Sequence, residues 1–239
     1  MNDSAIVRRE YATEEHFLAR RLATAAQVRG PLVEDAIVDA VREGTPDRVV
    51  DVGCGTGDFT ERLANEIGAD VVALDSSPRM AELSRARGLD AVTGDIETLP
   101  FDDGAFGCVL ANRVLYHLAH LDAGLAEIAR VLQSGGVLIA VTYSDDHLQE
   151  LWDVIGSAPH PPSDFSAENG ARPLREQFDP VERRDLSGGA RFPSRRSILE
   201  FLAAYGDFAD VDLGAQLGDV RGPFDASYRH SVFVASKPR

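Results

Sequence analysis

Lysine is nearly missing from this chain. Lys237 is the only one among 239 residues, and arginine carries the other positive side chains. Positive charge of either kind is short: 24 Lys and Arg face 39 Asp and Glu, for a formal net charge of -15. Such a surface repels phosphate backbones and anionic headgroups, so nucleic acid and a membrane surface are poor partners. Its simplest consequence is solubility. Cysteine is scarce as well. Cys54 lies in a glycine-rich turn and Cys108 in an apolar run, neither with metal-ligand spacing. No disulfide framework is expected, which suits a reducing cytoplasm. No stretch is long and apolar enough to span a bilayer, and the opening MNDSAIVRREYATEEH has no apolar signal region. A cytoplasmic location follows as the expectation. The six histidines, His16, His117, His120, His147, His160 and His230, are scattered along the chain, so no metal is expected. No serine sits in a nucleophile elbow.

What is present is an alternation. Tyr11 to Val28 reads as a helix, Gly30-Pro31 breaks it, and Leu32 to Arg42 resumes with one apolar face. Short apolar strands then alternate with helices. Strands are expected at 48–52, 70–74, 90–93, 106–111 and 136–142, and helices at 59–67, 78–87 and 121–132. That order calls for an α/β fold with a doubly wound, mostly parallel sheet covered on both faces. Beyond Tyr143 the alternation weakens. A helix is expected at 147–155, a loop at 157–173, and a sixth strand from Phe178 to Leu186. A helix capped by Ser194 follows, then a loop over 218–225 and a seventh strand from Tyr228 to Ser236.

Chemistry concentrates at the ends of these strands. VVDVGCGTGDFT, residues 49–60, runs a buried strand into Gly53, Gly55 and Gly57 and then a helix. Glycines let a backbone turn tightly and approach a ligand closely. The spacing differs from the dinucleotide fingerprint G-x-G-x-x-G, and no lysine follows as in a phosphate-binding P-loop. Asp51, just before the loop, would repel a phosphate and suit a cation. VVALDSSPRM, residues 71–80, ends its strand in Asp75, at the edge where open α/β sheets bind ligands. A carboxylate there can accept from two ribose hydroxyls; taken alone it is more often a helix cap. At that open edge it should matter little to fold stability. VTGDIETLPF, residues 92–101, sets Asp95 beside apolar Ile96, a pairing that suits adenine. FGCVLANRVLYHL, residues 106–118, carries Asn112 past the fourth strand.

Residues 49–60 resemble motif I of the class I S-adenosylmethionine-dependent methyltransferases, and the likeness continues through Gly136. It is strongest to the group that includes ubiquinone and menaquinone biosynthesis methyltransferases. The resemblance implies a Rossmann-like, seven-stranded α/β domain spanning 1–239. Residues 1–45 would be a helical cap, 46–144 the cofactor core, and 145–239 the acceptor side with the last strands. It implies S-adenosylmethionine as cofactor, S-adenosylhomocysteine as product, and a small-molecule methyl acceptor. It gives Asp75 the ribose, with Ser76 and Met80 bordering the adenosine. It gives Asp95 and Ile96 the adenine, and sets Asn112 and His117 near the methionine part. Tyr11 could reach the cofactor's carboxylate end. Asn112-Arg113-Val114-Leu115 departs from the N-P-P-Y type motif of relatives that methylate planar amines. The sulfonium needs no protein activation, so no fixed catalytic residue is implied; Tyr11, His16, Tyr143 and His147 are the candidates for a base. A catalytically silent cofactor binder and a nicotinamide oxidoreductase are the competing classes.

Overall fold

The computed structural model describes residues 24, 27–30, 32–156, 163–204 and 213–239. Eight described strands form one sheet: β1 (Val28–Arg29), β2 (Arg48–Val52), β3 (Asp70–Asp75), β4 (Asp90–Thr93), β5 (Phe106–Asn112), β6 (Leu132–Tyr143), β7 (Val181–Phe192) and β8 (Phe224–Ser236). Their order is β1-β7-β8-β6-β5-β2-β3-β4. The run β6-β5-β2-β3-β4 is parallel, while β8, β7 and β1 join antiparallel. The helices between strands are α1 (Val33–Gly44), α2 (Asp58–Ile67), α3 (Pro78–Ala86) and α4 (Leu121–Val131), followed by α5 (Gln149–Ile155), α6 (Ala171–Leu174), α7 (Arg195–Ala203) and α8 (Leu213–Gln216).

The central strands are apolar on both sides because helices cover both faces. The two-residue period sorts them cleanly. Val50, Val52, Val72, Val109 and Leu138 face a core shared with Leu125, Ile128 and Val131 of α4. Val49, Val71, Cys108, Leu110 and Ile139 face the opposite core, with Val33, Ile37 and Val41 of α1 and Leu63 of α2. Helix α1, expected as part of a cap, thus lies on the sheet. Asp51 shares the parity of Val49, so its carboxylate points under α2 rather than into open solvent.

Four expectations change. Val28, read as the end of a helix, pairs with Ala190 and adds an eighth, edge strand to the seven expected. Gly188 permits it, since a Cβ there would lie 2.6 Å from the Arg29 carbonyl oxygen. Strand β7 runs on from Leu186 to Phe192 through Ser187-Gly188-Gly189, because β8 supplies an unbroken ladder that overrides their weak strand preference. Strand β6 starts at Leu132; the Gly135-Gly136 turn is absorbed as an irregularity in the pairing with β5. The loop expected at 157–173 contains the start of α6, and 157–162 lie outside the described residues. Ser194 does cap its helix, in a reciprocal capping box with Ser197. The N-terminal helix read over Tyr11 to Val28 lies outside the described residues save for positions near its end, as do Tyr11 and His16.

Gly188→Val should therefore free the β1 edge. We expect a loss of about 1–3 kcal/mol, as for overpacking elsewhere, with faster amide exchange confined to 28–29 and 189–190. Unchanged exchange at Arg29 would show that β1 does not depend on this glycine.

Candidate cofactor site

The order β5-β2-β3-β4 puts four strand ends side by side. Asn112 ends β5, the glycine loop follows β2, Asp75 ends β3, and Asp95 follows β4. At the usual strand spacing the row spans about 14 Å.

The glycine loop is held from several directions. Its N–H groups at Gly53 and Cys54 donate to the Leu74 carbonyl at 2.7 and 3.0 Å. Ser84 of α3 donates to the Gly55 carbonyl at 3.2 Å. Gly53 and Gly57 are left-handed, at φ 77° and 78°. A Cβ at either would strike Val114 or Ser84 at 2.6 Å. These two glycines answer to packing. Gly55, also left-handed at φ 57°, is the buried centre of the loop. Its N–H donates to Asp75 Oδ2 at 2.8 Å.

Asp75 also accepts from the Ser77 N–H, at 2.9 Å on Oδ1. It therefore clamps the loop after β2 to the loop after β3. The helix-cap alternative falls to Ser77, whose Oγ accepts from the Met80 N–H. The expectation that Asp75 matters little to stability is corrected: its two backbone donors would lose their acceptor. Burial raises its pKa against the pull of those donors.

Asp51 is 2% exposed. Thr60 of α2 donates to its Oδ2 at 2.6 Å, and Oδ1 is buried without a hydrogen-bond partner. Burial pushes its pKa up to about 7; the Thr60 bond opposes this and the nearby charge of Asp75 adds to it. Two carboxylates thus share one loop, both strained by desolvation, one with an open acceptor. A cation relieves that arrangement and a phosphate aggravates it. The donor set fits S-adenosylmethionine, whose ammonium would meet Asp51.

The other expected residues fall into place unevenly. Ser76 is exposed at the loop mouth. Met80 is fully buried, and Ile96 is 5% exposed within the core of Leu99 and Leu118. Asp95 is exposed and turns its own loop, its Oδ1 accepting from the Glu97 N–H at 2.9 Å. Asn112 is half-buried, and Arg113 Nε donates to its Oδ1 at 3.1 Å. His117 ends a short 3-10 turn, its ring centroid 4.4 Å from that of Tyr116. Tyr143 and His147 lie beyond Asn112, on the β6 side of the row, rather than among the cofactor loops. Sequence reasoning passed over Arg113. It is left-handed at φ 60° and ion-pairs with Glu34 of α1 at 2.5 Å; no motif marks it. Among the described residues no group of His, Cys, Asp or Glu could hold a metal ion.

This strand order, with ligand loops at the carboxyl ends of β5, β2, β3 and β4, defines a Rossmann-like α/β nucleotide-type binding fold. The comparisons with known proteins narrow that class. The model of the methyltransferase domain family matches residues 50–140. An uncharacterized methyltransferase of Mycobacterium bovis is 35% identical over 189 residues, 76% of this chain and 74% of the relative. A malonyl-[acyl-carrier protein] O-methyltransferase of Serratia marcescens is 38% identical over 109 residues, 45% of this chain and 42% of the relative. The chain spans only 36% and 53% of the length of two further relatives. Among solved structures, the [4+2]-cyclase SpnF superposes with a TM-score of 0.62 at 21% identity, over 97% of this chain and 96% of that one. The chain belongs to the class I S-adenosylmethionine-dependent methyltransferase family.

Two outcomes test the site. With Asp51 as the partner of the ligand's ammonium, its ionised form is the binding form, so S-adenosylhomocysteine should bind about tenfold more weakly at pH 6 than at pH 8. Asp51→Asn should bind weakly at both and lose that dependence. In the free protein the sign reverses. Its raised pKa means that the stability Asp51 contributes is complete below the unfolded value near 4 and is lost as pH rises through about 7. Calorimetric titration against pH measures the first effect, and an affinity flat from pH 6 to 8 would refute it. Asp75→Ala should weaken S-adenosylhomocysteine by roughly 2–4 kcal/mol and also destabilise the fold by about 1–3 kcal/mol, because two backbone donors lose a charged acceptor. Unaltered melting would show that the clamp contributes nothing.

Proposed function

We propose that this chain is an S-adenosylmethionine-dependent methyltransferase acting on a small-molecule acceptor. The buried, unpartnered Oδ1 of Asp51 beside a glycine loop carries the reading, since it asks for a cation where a dinucleotide would bring phosphate. Bound S-adenosylmethionine supplies an electrophilic methyl group. The chain's part is to hold and align. Asp51 would take the ammonium, the Gly55 backbone the amino-acid end, Asp75 the ribose hydroxyls, and Asp95 with Ile96 the adenine. Asn112 borders the methyl group. The strong negative charge favours a small acceptor over nucleic acid. Unpaired Cys54 and Cys108 suit a reducing compartment, which supports a cytoplasmic enzyme. The sheet that carries the cofactor loops also carries β7 and β8, which supports reading the segment past Tyr143 as part of the same domain.

The second reading is a protein that binds the cofactor without transferring its methyl. The likeness to a protein described as a cyclase keeps it in view, because one fold hosts several chemistries. S-adenosylhomocysteine should raise the melting temperature, since it binds only the folded state, and NADH should not. Labelled S-adenosylmethionine should pass its methyl to a member of a panel of phenols, amines and carboxylates. Stabilisation by NADH alone would overturn the reading; binding without transfer would favour the silent binder.

A further inference from the structure

Beyond Asn112 the same edge of the sheet carries a cluster outside the cofactor site described above. Tyr143 ends β6, and His230 of β8 lies directly opposite it in the antiparallel register. Around them stand His147, Tyr228 and Tyr116. Ring centroids are 4.6 Å apart for Tyr143–His230 and for Tyr143–His147, 4.5 Å for Tyr228–His230, 4.9 Å for His147–His230 and 5.8 Å for Tyr116–Tyr143. The guanidinium of Arg113 lies within electrostatic reach of Tyr116, Tyr143 and Tyr228 and hydrogen-bonds Tyr228. Its left-handed backbone, costly for a residue with a Cβ, turns the side chain back into this group.

Two features of the cluster are chemically specific. His230 is 2% exposed, and neither of its ring nitrogens has a hydrogen-bond partner. A buried imidazole left so costs stability, which asks for a reason outside packing. A ring of tyrosines alone would suit a cationic amine. Here a guanidinium already stands among the rings, held from the α1 side by Glu34 through one nitrogen, so its ring-facing N–H groups suit an oxyanion better than a second cation.

We propose that Arg113, Tyr116, Tyr143, His147, Tyr228 and His230 form the methyl-acceptor subsite, that it takes a planar phenol or enol, and that His230 accepts the hydroxyl proton. This rests on the methyltransferase reading above. Tyr143 and His147, both half-buried, lie against His230, and the hydroxyl reaches His230 past them. The O–H bond breaks, with its proton passing to an imidazole nitrogen and Arg113 stabilising the oxyanion. An oxygen lone pair then forms the O–C bond to the methyl carbon. The C–S bond breaks with its electron pair returning to sulfur, so the sulfonium becomes a thioether. The proton leaves to solvent by way of His147. A carboxylate acceptor would need no base, and a protonated amine would meet Arg113.

The groups facing His230 are Tyr143 from β6, His147 ahead of α5, Tyr228 from β8 and Arg113 after β5, with Tyr116 against Tyr143 and Glu34 of α1 against Arg113. Burial, then His147 and Arg113, hold its pKa well below the usual histidine value. The free ring therefore stays neutral through mildly acidic pH, and the imidazolium formed by the transfer is favoured only while the oxyanion lies beside it.

The test pairs labelled methyl transfer with S-adenosylhomocysteine titration. Probes are 1-naphthol, 4-nitrophenol, 4-hydroxycoumarin, benzylamine and benzoate. Label should enter the hydroxyl compounds only. His230→Asn should lower kcat at least about 100-fold, leave S-adenosylhomocysteine affinity within about twofold, and remove the acidic limb of the pH–rate profile. Arg113→Lys should raise the KM for the phenol at least about tenfold, since a point charge replaces a planar fork. Preferred methylation of benzylamine or benzoate would overturn the proposal. So would full kcat with an unchanged pH profile in His230→Asn, or no transfer to any hydroxyl compound by protein that binds S-adenosylhomocysteine. Failure of the unmodified protein to bind S-adenosylhomocysteine would instead overturn the methyltransferase reading, and the acceptor assignment with it.

Discussion

The bond from the Gly55 N–H to Asp75 joins two loops that the sheet brings together only at their roots. Strands β2 and β3 run parallel in strict register, from Arg48 opposite Asp70 to Val52 opposite Leu74, so their following loops emerge side by side. Nothing in a parallel ladder fixes what happens beyond its last pair. Asp75 does so by accepting from Gly55 on one oxygen and Ser77 on the other. The left-handed glycines and the Ser84 hydroxyl complete the frame. The shape of the cofactor cradle depends on this one carboxylate more than on any apolar contact.

Asp51 shows the opposite bargain. Its parity in β2 is that of Val49, so the sheet buries its carboxylate against α2 whatever the cost of desolvation. Thr60 offsets part of that cost and leaves one oxygen open. A structure optimised for stability alone would place an apolar residue there. Keeping a carboxylate strained against solvent stores an affinity for positive charge that binding can release. His230 repeats the pattern beyond Asn112, with a neutral imidazole in place of an acid. In both cases the fold leaves a buried polar group unsatisfied, and the proposed roles rest on that.

Much of this was legible because it is local. The apolar runs of β2, β3, β5 and the second half of β6 announce buried parallel strands by composition, and Ser194 announces its helix through side-chain chemistry three residues deep. That the glycine loop, Asp75 and Asp95 stand at neighbouring strand ends is readable because it is a matter of chain order. The last strands were placed only roughly. The low strand preference of Ser187-Gly188-Gly189 hides a ladder that exists because β8 lies beside it, and Val28 is a strand only because Gly188 leaves room for Arg29.

The amino-acid sequence by itself determined the α/β class, the row of ligand-facing strand ends and the family, since periodicity and spacing are properties of neighbours along the chain. Tertiary structure alone decided three things. Asp75 clamps two loops, Asp51 keeps one acceptor open, and Arg113 lies near Tyr143 of β6 and near Tyr228 and His230 of β8, the last two more than a hundred residues further along the chain. The physical reason is that burial, partner and charge depend on what packs against a side chain. For β5, β6 and β8 that is settled only when a distant antiparallel strand closes the sheet.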